Sequence, residues 1–234
     1  ATGENFIPFQ GFPDVKVEVS GAKVCDPRIP GSSYDDESTY VYSNNPALID
    51  SQYDYGWYSG VGAGRVKIVG YGYPETIMNE AQTISNADYC DNESFTCGGL
   101  LRSNQGADIE EVRKAYNAVR VADAATVYCV AEGKRANAGV LGMGLHPSAF
   151  VSALDRDGMS TEVYNEVFTK YVEPSEVYGE KEMPVYSKPE WSATDNHIPR
   201  QMPFVLNMVT NLEQAAKLEK QEVYTSRAAS TAAI

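Results

Sequence analysis

The residues best suited to covalent chemistry are the four cysteines, Cys25, Cys90, Cys97 and Cys129. Their spacing contains no Cys-x-x-Cys pair. The two histidines, His146 and His197, lie far from all four in sequence, so no zinc pattern forms. An even number of cysteines is compatible with two disulfides, and equally with buried free thiols. Their neighbours carry more information. Cys25 is followed by Asp26 and Arg28, and Cys90 lies between Asp88-Tyr89 and Asp91. Cys129 follows Tyr128, with Asp123 before it and Lys134 and Arg135 after it. Each of these three thiols thus has a carboxylate, a cation or an aromatic ring close by in sequence.

Other reaction chemistry finds little footing. Histidine is the usual base near neutral pH, but neither His146 nor His197 is accompanied by a nucleophile motif. The Gly60-x-Gly62-x-Gly64 run has Arg65 where a dinucleotide fingerprint needs glycine. The Gly142-x-Gly144 run leads to His146-Pro147 and lacks the Lys-Ser or Lys-Thr of a phosphate loop. Both read as turns. Asn92-Glu-Ser94 is a formal glycosylation sequon of a kind that arises often by chance.

The elements that must position the cysteines follow from composition and periodicity. The chain has 234 residues with 43% hydrophobic and 22% charged, enough for a real core. Tyr outnumbers Phe 16 to 7 and the mean hydropathy is −0.36, so much of the apolar content is amphipathic ring suited to wet edges and interfaces. A net charge of −13 argues against nucleic acid and anionic membrane surfaces, and no apolar run reaches the length of a membrane span. The chain starts at Ala1, and a removed targeting segment is expected before it.

The expected fold class is mainly α: amphipathic helices joined by extended Pro/Gly-rich arms, with little sheet. Residues 1–73 read as an extended arm with short strands at Val15–Val19 and Val66–Val69, and with an aromatic-glycine loop from Tyr53 to Tyr58. Residues 74–172 read as helical. One helix opens at Pro74 and carries Ile77, Met78, Ala81 and Ile84 towards Cys90. Another starts at Asp108, capped with Glu111, and carries Val112, Tyr116, Val119 and Val130 through Cys129. After a turn at Gly139–Gly144, a short helix is expected over Pro147–Leu154. A further helix after Ser160 would place Val163, Val167, Phe168 and Tyr171 on one face. Residues 173–234 read as a Pro-rich arm followed by a helix from Pro203 through Val205, Val209, Leu212 and Ala216, with a fraying tail after Tyr224.

A thioether-linked open-chain tetrapyrrole asks for the residue types found around the cysteines. Sulfur bonds the terminal ring, a carboxylate accepts from the pyrrole nitrogens, Arg or Lys pairs with the propionates, and aromatic walls stiffen the rings. Tyr89-Cys90 and Tyr128-Cys129, 39 positions apart (129 − 90), together with the early, isolated Cys25, resemble the γ subunit of red-algal phycoerythrin. The resemblance covers roughly residues 75–135. It implies a chromophore-bearing phycobilisome rod linker rather than an enzyme, carrying phycourobilin or phycoerythrobilin. It implies thioether links at Cys90 and Cys129, with Cys25 and then Cys97 as the further candidate sites, and with Asp88, Asp91, Asp123 and Arg135 serving the pigment. It also implies phycoerythrin α and β subunits and other rod linkers as partners, and the stromal face of the chloroplast thylakoid as location, without membrane insertion. Linkers of this kind are generally basic, so an acidic one implies basic patches in the channel that receives it. An acidic secreted or lumenal binding module held by disulfides is the alternative that the same cysteines allow.

Overall fold

The structure, a computed structural model, describes residues 22–60, 64–99, 101, 106–122, 127–131 and 164–231. Among these residues the architecture is mixed, with five α-helices and ten strands, not the mainly α arrangement expected. At the centre lies α1, Pro46–Tyr55. Asn45 caps it by accepting from the N–H groups of Ala47 and Leu48, and Pro46 occupies its first turn, where no N–H is needed. Every residue of α1 is buried, including Asp50, Ser51, Gln52 and Asp54. Helix α2, Glu80–Glu93, and helix α3, Gly106–Lys114, both pack on α1.

Three two-stranded antiparallel ribbons surround this group. Strand β1 (Ala22–Val24) pairs with β2 (Val41–Ser43), β3 (Trp57–Ser59) with β4 (Val66–Val69), and β5 (Ala118–Ala122) with β6 (Val127–Ala131). The larger sheet is built on β7, Glu166–Glu173. Strand β10 (Gln201–Leu206) runs parallel along one edge of β7. Strands β8 (Gly179–Glu182) and β9 (Tyr186–Ser187) pair antiparallel along the other. Helix α4, Pro189–Thr194, lies in the crossover, and the long helix α5, Leu212–Thr231, packs on β7. The main core draws on all three sequence segments, joining Val24 and Leu48 to Cys90 and Ile109 and to Leu206 and Leu218.

The missed elements have physical causes. The helix expected from Asp108 through Cys129 stops at Lys114. Residues 115–117 turn, and Asn117 takes a left-handed φ of 49°, which Asn tolerates better than most residues. Val119 and Val130 then face each other in the β5–β6 hairpin, and Cys129 sits in a strand opposite Arg120. Val167 and Tyr171 are four apart, a spacing that places residues on one face of a helix and also on one face of a strand. Burial alternates along β7, with Val167, Thr169 and Tyr171 inside and Phe168 exposed, so the strand period holds. Pro203 opens no helix but stands in β10, which pairs with β7 alone and so tolerates a residue without an N–H.

Pro74 precedes only a short 3-10 turn, and α2 begins after Asn79, whose side chain accepts from the N–H of Gln82. Its buried face is Thr83, Asn86, Ala87 and Cys90 rather than the expected stripe. The arm expected over 173–203 holds β8, β9, α4 and the start of β10, and the tail after Tyr224 stays helical to Thr231. Strand β4 forms where expected. The strand at Val15–Val19, the turn at Gly139–Gly144 and the helix at Pro147–Leu154 lie outside the described residues.

Gly70 joins the β3–β4 ribbon to α1. It has φ +101°, and a Cβ there would stand 2.4 Å from the Tyr53 carbonyl oxygen and 2.6 Å from Gly56 Cα. Gly31 has φ +84° but open space around it. Gly31→Ala is expected to cost about 1 kcal/mol for its dihedral alone, and Gly70→Ala about 1–3 kcal/mol more. Denaturant unfolding of the two variants checks this, and equal losses at both positions would contradict the close approach.

Candidate functional site

Four elements converge on a small polar cleft. Its walls are Ala47, Asp50, Ser51 and Asp54 of α1, Thr83 and Asn86 of α2, Met78, Tyr116 and Cys129, around about 260 Å³ of open space. Asp50 and Asp54 stand one turn apart on α1, so their carboxylates lie on the same face. Asp50 Oδ1 accepts from Arg113 Nε at 3.0 Å and pairs with Nη2 at 2.9 Å, and Oδ2 accepts from the Tyr116 hydroxyl at 2.6 Å. Arg113, only 2% exposed, also donates through Nη1 to Glu110 at 2.6 Å.

Asp54 is held differently. Its Oδ1 lies 3.1 Å from Arg120 Nη2 and 3.6 Å from Arg113 Nη2, in ion-pair range but without a hydrogen bond of good geometry. Arg120 in turn lies over the rings of Tyr71 and Tyr73, 4.6 and 5.3 Å from their centres. Burial, reinforced by the like charge of Asp50, pushes the Asp54 carboxyl up to about 7 against the pull of both guanidinium groups. Tyr116 and Cys129 are shifted upward as well, first by burial and then by the Asp50 charge. Neither forms an anion easily, and thiols and phenols attack as anions. The cleft's enclosed part has room for little more than one water molecule, far short of an ordinary ligand site. The arrangement can therefore hold a proton and a little water, and it presents no activated nucleophile.

The cysteines named from the sequence occupy other settings. All four are free, and no disulfide joins them. Cys25, Cys90 and Cys129 are buried, at 1%, 0% and 7% exposure, while Cys97 is half-buried. Cys90 points into the main core, whereas Asp88 and Asp91, two residues before and one after it on α2, point outward and stay half exposed. At about 100° per residue, helical geometry places them away from the sulfur. The structure does bring the acids beside Cys25 and Cys90 together, but around Arg28. Its Nη2 meets Asp26 at 2.8 Å, and its Nη1 meets Asp88 at 3.1 Å and Asp91 at 2.7 Å. Asn45 Nδ2 also donates to Asp91 at 2.8 Å. Asp123 and Arg135 lie outside the described residues.

The stretch from Tyr53 to Tyr58, read from the sequence as an aromatic-glycine loop, is largely interior. Tyr53 and Tyr55 end α1 and are buried, Tyr55 donates to Asp35 at 2.5 Å, and the Trp57 indole donates to the Lys23 carbonyl at 2.8 Å. Arg65 covers Tyr58 with its guanidinium 4.4 Å from the ring centre. His197 is exposed, and His146 lies outside the described residues. Asp50, Asp54, Arg113, Tyr116 and Arg120 went unread as a group in the sequence. The available signal was the i,i+4 carboxylate pair in a helix that opens with Asn45-Pro46, but its cationic partners lie some sixty residues away.

Comparison of the chain with models of known protein families and with curated proteins finds no match.

Removing the Asp50 carboxylate leaves Arg113 buried without its main partner and orphans the Tyr116 hydroxyl. Asp50→Ala is expected to lose about 3–5 kcal/mol of stability in denaturant titration. A loss below about 1 kcal/mol would mean that the pair does not hold α3 to α1.

Proposed function

We propose that the chain is a non-catalytic partner protein of a light-harvesting assembly: a γ-type linker that sits in phycoerythrin hexamers, carries phycourobilin or phycoerythrobilin and passes excitation along phycobilisome rods on the stromal face of the thylakoid. The structural observation that supports a docking role is the state of the ribbons. Two-stranded ribbons are marginal on their own in water. Here all three expose large apolar side chains: Tyr42 (67%) on β2, Val66 (66%) and Ile68 (52%) on β4, and Val119 (40%) on β5. Apolar surface of this kind is stabilised when a partner covers it. The suppressed thiol and phenol in the central cleft favour carrying and docking over turnover, and the identity of the partner rests on the sequence resemblance.

As a residue Cys97 is the least buried of the four cysteines, but burial pushes its thiol up to about 12, so attachment there also requires the surrounding fold to open. A thioether at Cys90, Cys129 or Cys25 needs the core open around it, so those sites load before or during folding.

Protein isolated from its natural source should absorb blue-green light, fluoresce on a zinc-stained denaturing gel and migrate with α and β phycoerythrin chains. Peptide mass spectrometry should find a bilin-sized adduct on at least one of the four cysteines. Colourless protein with four unmodified thiols, running without phycobiliprotein, would refute the proposal.

A further inference from the structure

We propose that the outer face of the four-stranded sheet docks a basic amphipathic helix of a partner protein. Strand geometry sorts the side chains, because successive residues point to opposite faces and residues paired across strands point to the same one. The inner face is core: Val167, Thr169 and Tyr171 of β7 and Phe204 and Leu206 of β10 are buried, and Thr169 donates to Glu219 of α5 at 2.8 Å. On the outer face Phe168 pairs with Pro203 and Lys170 with Val205, and Val172 continues the row along β7. Phe168 is 39% exposed, Pro203 is exposed, and Val172 and Val205 are half-buried, so an apolar strip faces solvent along the β7–β10 pair. Parallel pairs are ordinarily covered on both faces, usually by helices. Helix α5 supplies the inner cover, and the outer strip fits a second helix. Two strands roughly 4.8 Å apart match one helix about 10 Å wide, and Phe168 to Val172 extends about 13 Å, or roughly two and a half turns.

The rim selects the sign of that helix. Glu182 stands opposite Lys170 and Glu180 opposite Val172, both exposed on the outer face of β8. At the far end Glu166 accepts from Gln201 Nε2 at 2.9 Å. Lys170 meets Glu182 at 3.1 Å, so three glutamates flank the strip against one lysine. Lysine or arginine beside the apolar face of a helix pairs with such a rim. A second copy of the chain would instead bring the same rim and another net charge of −13, which opposes it as the occupant. The surface belongs to the polypeptide alone and does not need a bound pigment.

Hydroxyl-radical footprinting of the full-length, pigment-free chain, with and without a synthetic helix of about 14 residues bearing leucines on one face and lysines on the other, tests it. Phe168 and Pro203 should be oxidised in the free chain and protected by the peptide, while Tyr42 and Val66 on the ribbons should stay oxidised. By fluorescence anisotropy, Phe168→Ser should weaken peptide binding by about tenfold or more, and Val66→Ser should not. A peptide with glutamates in place of the lysines should bind the wild type at least about tenfold more weakly, and Glu180→Lys with Glu182→Lys should shrink that difference. No binding, protection confined to the ribbons, equal affinity for wild type and Phe168→Ser, or indifference to peptide charge would each overturn the proposal. So would a Phe168 side chain already protected in the free monomer, or shielded through self-association seen by sedimentation. Should Phe168→Ser not fold, the wild-type footprint decides alone. None of these outcomes bears on whether the chain carries a bilin.

Discussion

Arg113 is a guanidinium ion almost wholly removed from water, and the placement of α1, α3 and the β5–β6 hairpin follows from how that charge is met. Leaving it without a carboxylate would cost several kcal/mol, so α3 must dock where Asp50 can reach Nε and Nη2 together. A buried ion pair need not stabilise a fold more than an apolar contact would, but it is demanding about register. Sliding α3 along α1 by one turn would strand Arg113 and the Tyr116 hydroxyl at once. The same logic runs along the rest of α1. Gln52 accepts from the Cys25 N–H at 2.8 Å and donates to the Gly56 carbonyl at 2.9 Å, and Ser51 bonds the Tyr34 hydroxyl at 2.6 Å. Together the buried polar residues of α1 reach Cys25, Tyr34, Thr83, Arg113, Tyr116 and Arg120, in segments on several sides of the helix. A helix that is buried on every side thereby specifies its neighbours by hydrogen bonds as well as by shape.

This hub explains which parts of the fold were legible in the sequence. Local devices carry their own signal. Strand β4 was visible in its alternating valines and isoleucine, and α2 was found as an element, though its start lies at Asn79 rather than Pro74. What failed were apolar spacings shared by two periods. Val167 and Tyr171 satisfy a helix and a strand equally. Val112, Tyr116 and Val119 mimic a continuous stripe across the turn at Asn117. Pro203 was misread because a proline signals a helix start only where no neighbouring strand is available, and β7 is that strand. Such choices are settled by partners far along the chain, which a local pattern does not contain.

The site was legible in a similarly partial way. In sequence Asp26, Arg28, Asp88 and Asp91 stand beside thiols, and the fold gathers these four into an ion-pair cluster of their own. The sequence did not convey that a helix turns Cys90 inward while turning Asp88 and Asp91 outward. Adjacency in sequence became opposition in space. The central cleft was invisible for the converse reason. Asp50 and Arg113 are 63 positions apart, and nothing in either neighbourhood names the other.

The distribution of charge connects the hub to the surface. The chain has 32 acidic and 19 basic side chains, and many of the described cations are engaged within the molecule. Arg28 is held among three aspartates, Arg113 and Arg120 by α1, Arg65 by Asp35, and Lys181 and Lys217 by glutamates. These cations neutralise neighbouring acids instead of standing as separate positive patches. The long-range field is therefore that of the acidic excess. A surface of this sign speeds encounter with basic partners and opposes association with phosphate backbones and anionic lipid. In the docking role proposed for this chain, contact would then pass to the apolar side chains of the ribbons. Charge would govern that approach, and Tyr42, Val66 and Ile68 are exposed apolar surface available for burial against such a partner. The link between α1 and α3 runs through Asp50, Arg113 and Tyr116, none of which belongs to a ribbon, so the exposed apolar surface and the polar hub are carried by separate residues.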